Sequence, residues 1–148
     1  MAVLPENPGG GAARAERLRA AGLKATAPRL TILQALESDR RHPSAEMIFE
    51  SLSDKSPSLS LSTVYQTLET FLQKGLLRRI AGAGGKLRVD GTVQDHDHAI
   101  CRGCGAVFDI DPDLIKRPRP PAALPHGLQV TNLFVEYEVL CSDCAQAE

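Results

Sequence analysis

Residues 90–109 read Asp90-Gly-Thr-Val-Gln-Asp-His96-Asp-His98-Ala-Ile-Cys101-Arg-Gly-Cys104-Gly-Ala-Val-Phe-Asp109. They hold two of the four histidines and two of the four cysteines of a 148-residue chain. Side chains of a β-strand alternate between faces, so His96 and His98 point to the same side. Asp90 ahead of them and Asp109 beyond them are carboxylates able to join the pair. Imidazole with carboxylate suits a borderline-to-hard divalent ion such as Fe(II), Mn(II) or Zn(II). Cys101 and Cys104 form a Cys-x-x-Cys pair, and Cys141 and Cys144 form a second. One segment therefore opens two chemically different metal sites.

The two cysteine pairs give four thiolates, the number a structural tetrahedral zinc ion takes, with no coordination position left for chemistry. All four cysteines of the chain are used and none is left over. A redox pair or two disulfides are the alternatives. A reducing cytoplasm, where this chain is expected, favours the metal. The expectation is one Zn(II) per subunit. For the other site, Asp90, His96, His98 and Asp109 need a further candidate, His42. A histidine just ahead of a helix is more often an ordinary surface residue. If His42 reaches the others, the metal ties two halves of the chain together.

Outward from this stretch, the strand ending at Cys101 meets a partner at residues 106–110 across a tight glycine-containing knuckle. Prolines 112, 118, 120, 121 and 125 confine any helix there to about residues 112–116. Residues 129–140 alternate apolar and polar side chains and predict a long strand, placed to pair with a second subunit. The result is an α+β unit with a small antiparallel sheet.

On the other side, residues 11–21 are strong helix formers stopped by Gly22. Thr26 and Pro28 open a second helix that ends near Ser38. Ser44 caps a third. Ser62 is the expected cap of a fourth helix, residues 63–74, closed by Gly75. Val64, Leu68, Phe71 and Leu72 form its buried stripe. The opposite face, Thr63, Gln66, Thr70 and Gln73 with Tyr65 on the flank, is rich in groups that hydrogen-bond base edges. Two short alternating segments then flank the Gly-rich residues 81–85, as in a β-hairpin. Helices, a polar-faced last helix and a basic hairpin predict a winged helix-turn-helix. A small helical domain with no DNA role is the plainer alternative.

Charge divides the same way. Residues 1–89 carry 13 Lys and Arg against 8 Asp and Glu, whereas residues 90–148 carry 4 against 10. A basic half suits a polyanion and an acidic half suits cations. No apolar run is long enough to span a bilayer, so no membrane is expected. The Pro- and Gly-containing start lacks the pattern of a secretory signal and reads as a disordered leader. The expected divisions are a leader at 1–13, a winged-helix DNA-binding domain at 14–89 and a metal-binding domain at 90–148.

From about Leu18 onward the chain resembles the ferric uptake regulator (Fur) family. The landmarks are Gly22-Leu-Lys-Ala-Thr-Ala-Pro-Arg29, His42-Pro-Ser-Ala45, Leu61-Ser-Thr-Val-Tyr-Gln-Thr-Leu68, the segment from His96 to Gly105 and the final Cys-x-x-Cys. The resemblance implies a homodimer of winged-helix and dimerisation domains that binds a palindromic operator in double-stranded DNA when its regulatory metal is present. By position, His42, Asp90, His96, His98 and Asp109 match the regulatory site, and Cys101, Cys104, Cys141 and Cys144 match the structural zinc site. Tyr65, with Gln66 and Thr63, matches base-contacting positions, while Lys24 and Arg29 match positions that meet the DNA backbone or minor groove.

The chain departs from the family pattern in places. Iron-sensing members typically have Glu where this chain has Asp90 and Asp109, while the peroxide-responsive repressors (PerR) tend to have Asp. An additional metal site of many members is degraded, with Asp95, Lys116 and Leu133 at its positions, and prolines replace much of the helix after the second strand. Both carboxylates thus point to a peroxide sensor. In that subclass Fe(II) reacts with hydrogen peroxide and a ligand histidine is oxidised, by position His42 or His96, whereas Mn(II) supports DNA binding without the reaction. A manganese- or iron-uptake regulator is the nearest alternative. A zinc hydrolase is a distant one, since no His-Glu-x-x-His or comparable motif is present.

Overall fold

The computed structural model describes residues 10–80, 86–92, 96–116, 118–131 and 133–147. The expected leader up to residue 9, the Gly-rich segment at residues 81–85 and Asp95 lie outside them. The chain divides into two compact units, Met1–Gln94 and Asp95–Glu148. Among the described residues no helix is long and apolar enough to cross a membrane.

The first unit contains α1 (Gly11–Ala20), α2 (Ala27–Ser38), α3 (Ala45–Leu52) and α4 (Leu61–Gln73), then the antiparallel pair β1 (Arg78–Ile80) and β2 (Arg88–Asp90). Two helices stop in the same way. After α1, Gly22 adopts φ 75°, and the Leu23 N–H reaches the Leu18 carbonyl at 2.9 Å. After α4, Gly75 adopts φ 69°, and the Leu76 N–H reaches the Phe71 carbonyl at 2.9 Å. This is the Schellman arrangement, in which glycine takes the left-handed position and the next apolar residue folds back onto the helix. Leu23 and Leu76 are accordingly buried in the same core as Leu18, Ile32, Val64 and Phe71. Glu37 of α2 fastens α1 through Arg14 at 2.6 Å and Arg17 at 3.2 Å.

The start of α4 differs from expectation. Its cap is Ser60, whose hydroxyl accepts from the Thr63 N–H at 3.1 Å, and the helix includes Ser62. Beginning two residues earlier brings Leu61 into packing contact with the core. Thr67 joins the buried face, and Leu72 is only partly buried.

In the second unit β3 (Asp97–Cys101) pairs antiparallel with β4 (Val107–Ile110) and parallel with β5 (Glu136–Val139), giving the order β4-β3-β5. The sheet is therefore mixed, and the fold remains α+β. β5 is much shorter than the alternation at residues 129–140 suggested. Its ladder begins only at the pair His98–Glu136 and ends at Cys101–Val139, so the short β3 limits it. A 3₁₀ turn at Pro112–Leu114 is all the helix that the proline-dense segment forms before its second such turn, Pro125–Gly127. A last short helix, α5 (Ser142–Gln146), follows Cys141.

Candidate metal sites and nucleic-acid face

The four cysteines lie together in the second unit, with one sulfur from each within 4.8 Å of all the others. β3 delivers Cys101, the following turn supplies Cys104, and the start of α5 supplies Cys141 and Cys144. All four are free, and Cys104 and Cys141 stand 3.8 Å apart, well beyond a disulfide bond. The knuckle is built by its backbone: Cys101 exchanges hydrogen bonds with Gly105 and Ala106 at 2.8 Å, and Gly105 takes φ 74°. A Cβ on Gly103 would lie 2.7 Å from the Cys144 sulfur, so the turn has no room for a side chain there. Backbone N–H groups of Cys141 and Cys104 aimed at the Cys101 sulfur lower its pKa to about 6. Cys144, sharing protons with Cys141 and Cys101, is pushed up to about 12. Four thiols this close cannot all ionise unaided, because each negative charge opposes the next. A divalent cation at their centre removes that opposition, so the donor set fits a tetrahedral ion.

The imidazole and carboxylate candidates form a pair in the first unit and a trio in the second. His42 Nδ1 lies 3.6 Å from Asp90 Oδ1, and both side chains are buried. His42 has φ 53°, an uncommon backbone state outside glycine. Arg88 holds it there, donating to the carbonyl of His42 and, at 2.9 Å, to that of Arg41. The Val89 N–H binds the Pro43 carbonyl at 3.3 Å, which lays β2 against the segment before α3. Asp90 is fixed in turn by the Thr92 N–H at 2.7 Å. In the second unit His98 faces Asp109 across the β3–β4 ladder. Asp109 Oδ1 is 3.0 Å from His96 Nε2 and 3.6 Å from His98 Nε2, and the two rings stand 4.5 Å apart. Donor atoms about 2.1 Å from a shared ion sit roughly 3–3.5 Å from one another, so both groups have ligand-like spacing.

On α4, Gln66 and Gln73 are exposed. Thr63 is half-buried, its hydroxyl 2.8 Å from that of Ser60. The Tyr65 phenol donates to Glu46 at 2.5 Å. Lys24 is exposed, and its carbonyl accepts from Arg29 at 3.1 Å. Sequence reasoning missed the roles of Arg88 and Glu46. A signal for the first was present, since Arg88 stands two residues before Asp90 on one strand. Nothing local marks Glu46 as a partner of Tyr65, nineteen residues away.

Residues 20–138 match the sequence profile of the ferric uptake regulator family. The ferric uptake regulation protein of Escherichia coli K12 is 38% identical over 135 residues, covering 88% of this chain and 91% of that protein. The peroxide operon regulator of Bacillus subtilis is 32% identical over 133 residues, covering 90% and 92%. The structure of the Pseudomonas aeruginosa ferric uptake regulator with manganese superposes with a TM-score of 0.68 at 30% identity, covering 87% of this chain and 98% of that one. With a helix-turn-helix and wing in one unit and a four-thiol cluster in the other, the chain belongs to the ferric uptake regulator family of metal-dependent, DNA-binding transcriptional regulators, and not to the enzymes.

Proposed function

We propose that this regulator is a repressor that senses peroxide through Fe(II) or Mn(II) held by His42, Asp90, His96, His98 and Asp109. The observation carrying the reading is that the carboxylate beside the histidine is aspartate in both units, Asp90 with His42 and Asp109 with His96 and His98. Nitrogen and oxygen donors suit Fe(II) and Mn(II), and affinity order alone does not select between them. Bound Fe(II) would supply the electron transfer that lets hydrogen peroxide oxidise a neighbouring imidazole by two electrons overall, one peroxide oxygen going to the ring and the other leaving as water. The chain supplies the target: His42 or His96 gains an oxygen, becomes a poor ligand, and releases whatever the metal was holding. Zn(II) occupies Cys101, Cys104, Cys141 and Cys144, one per subunit, and keeps the second unit folded. The repressor acts in the cytoplasm as a homodimer on a palindromic operator, with Tyr65, Gln66 and Thr63 toward the bases and Lys24 and Arg29 toward the backbone or minor groove.

The second reading, an iron- or manganese-uptake regulator in which the metal is itself the signal, draws on the higher identity to the Escherichia coli protein than to the Bacillus subtilis one. One experiment separates them. Protein loaded with Fe(II) without oxygen receives a brief low dose of hydrogen peroxide and is digested for peptide masses around His42 and His96. One added oxygen on either histidine, absent from a Mn(II) control and accompanied by loss of DNA binding, supports the sensor. Unmodified histidines with intact DNA binding support the uptake regulator.

A further inference from the structure

The contact between Tyr65 and Glu46 is used by neither metal site. The Tyr65 phenol donates to Glu46 Oε1 at 2.5 Å, the short end of the charge-assisted range. Among the described residues the other carboxylate oxygen, Oε2, is buried with no hydrogen-bond partner. Glu46 sits in the first turn of α3, two residues after the Ser44 cap, and the Tyr65 ring is partly buried against the core of the same unit. Leaving a buried carboxylate oxygen unpaired is unfavourable, and a carboxylate beside a DNA-facing helix repels phosphate. The hydrogen bond itself favours the fold, while overall affinity for DNA gains nothing from the carboxylate. What the arrangement adds is geometry: the core fixes one side of the Tyr65 ring and Glu46 fixes its tip.

Building on the proposed placement of Tyr65 toward the bases, we propose that Glu46 is a positioning residue for operator recognition, holding Tyr65 in one orientation on α4 and occupying its only donor hydrogen. Tyr65 then meets DNA through its oxygen as an acceptor and through its ring edge, and does not act as a donor. Locking a side chain before binding removes the ordering cost from the recognition step. The contact also holds Tyr65 ionisation above its ordinary range and the Glu46 carboxyl below its own.

The probe is a duplex enriched from a random-sequence library by the Mn(II)-loaded wild-type protein. Fluorescence anisotropy gives the ratio of its affinity to that of a scrambled duplex at one fixed salt concentration. Glu46→Ala is expected to reduce this ratio by about tenfold, the worth of a base contact, and Glu46→Gln, whose amide oxygen still accepts from the phenol, by less. Affinity for the scrambled duplex should rise slightly as the negative charge is lost. Tyrosinate absorbance should show one of the two tyrosines ionising at lower pH in Glu46→Gln than in wild type. In a Tyr65→Phe background Glu46→Ala should reduce the ratio no further, since residues acting as one unit are not additive. An unchanged ratio in both Glu46 variants, or an equal loss in the Tyr65→Phe background, overturns the positioning role alone. If Tyr65→Ala also leaves the ratio at its wild-type value, the base-reading assignment falls and this inference falls with it.

Discussion

Individual thiols in the four-cysteine cluster have unequal protonation, and that sets a measurable linkage. Cys101, lowered to about 6 by the Cys141 and Cys104 amides, is already a thiolate at pH 7. Cys144 is pushed up to about 12, and Cys104 is also raised, by thiols that compete for the same charge. A metal binds thiolates, so those raised groups must lose protons when it enters. Titrating metal-stripped protein with Zn(II) at pH 7 should release roughly two protons or more per ion, measured by calorimetry in buffers of different ionisation enthalpy. Below about pH 6 Cys101 takes up its own proton, and Zn(II) affinity should then weaken more steeply with falling pH. No proton release would mean that the cluster does not bind through its sulfurs. That the four cysteines come together was legible in the sequence, because Cys-x-x-Cys spacing and strand alternation are local patterns. Gly103, whose missing side chain leaves room for Cys144, was not. Its constraint comes from a residue forty-one positions away, and no spacing rule reaches that far.

Helix boundaries are where sequence and structure part, and α4 shows why. Ser60 and Ser62 are both acceptable caps, so propensity cannot choose between them. Tertiary packing chooses Ser60, because the earlier start places Leu61 against the core and gives the Thr63 N–H a hydroxyl at 3.1 Å. Ser60→Ala is therefore expected to destabilise the first unit by about 1 kcal/mol, while Ser62→Ala stays within about 0.5 kcal/mol of wild type. Thermal denaturation should show a loss of roughly 4–8 °C for the first change and almost none for the second. Equal losses would return the cap to Ser62. The ends of α1 and α4 were readable because Gly22 and Gly75 are the residues that left-handed φ values favour. β5 was not readable, since its length is set by the number of residues β3 presents and alternation in its own sequence carries no such limit.

At the scale of the whole molecule, the second unit exposes apolar surface that a lone chain gains nothing by showing. Leu114 is 81% exposed, Phe134 66% and Leu128 61%, with Val130 and Phe108 also open. All lie on β4 or in the segments between β4 and β5, where the described residues, with prolines 118, 120, 121 and 125 among them, form no helix beyond two 3₁₀ turns. Exposed apolar side chains gathered in one region of a chain mark interaction surfaces, and the proposed homodimer requires one. A two-fold dimer on these residues would present two α4 helices to the two halves of a palindrome, so each half-site contact depends on the other subunit. Phe134→Asp places a charge in that surface while leaving the four cysteines, the histidine and aspartate candidates and α4 unsubstituted. Sedimentation should show wild type as a dimer at micromolar concentration and the variant shifted toward monomer. The variant should retain its Zn(II), and its affinity for a palindromic duplex should fall far more than for a single half-site. Wild-type binding should also weaken steeply with added salt, because the first unit's net positive charge displaces counterions from phosphate. A Phe134→Asp protein that remains dimeric would move the interface elsewhere on the second unit. One that becomes monomeric yet binds the palindrome as tightly as wild type would detach operator recognition from dimerisation.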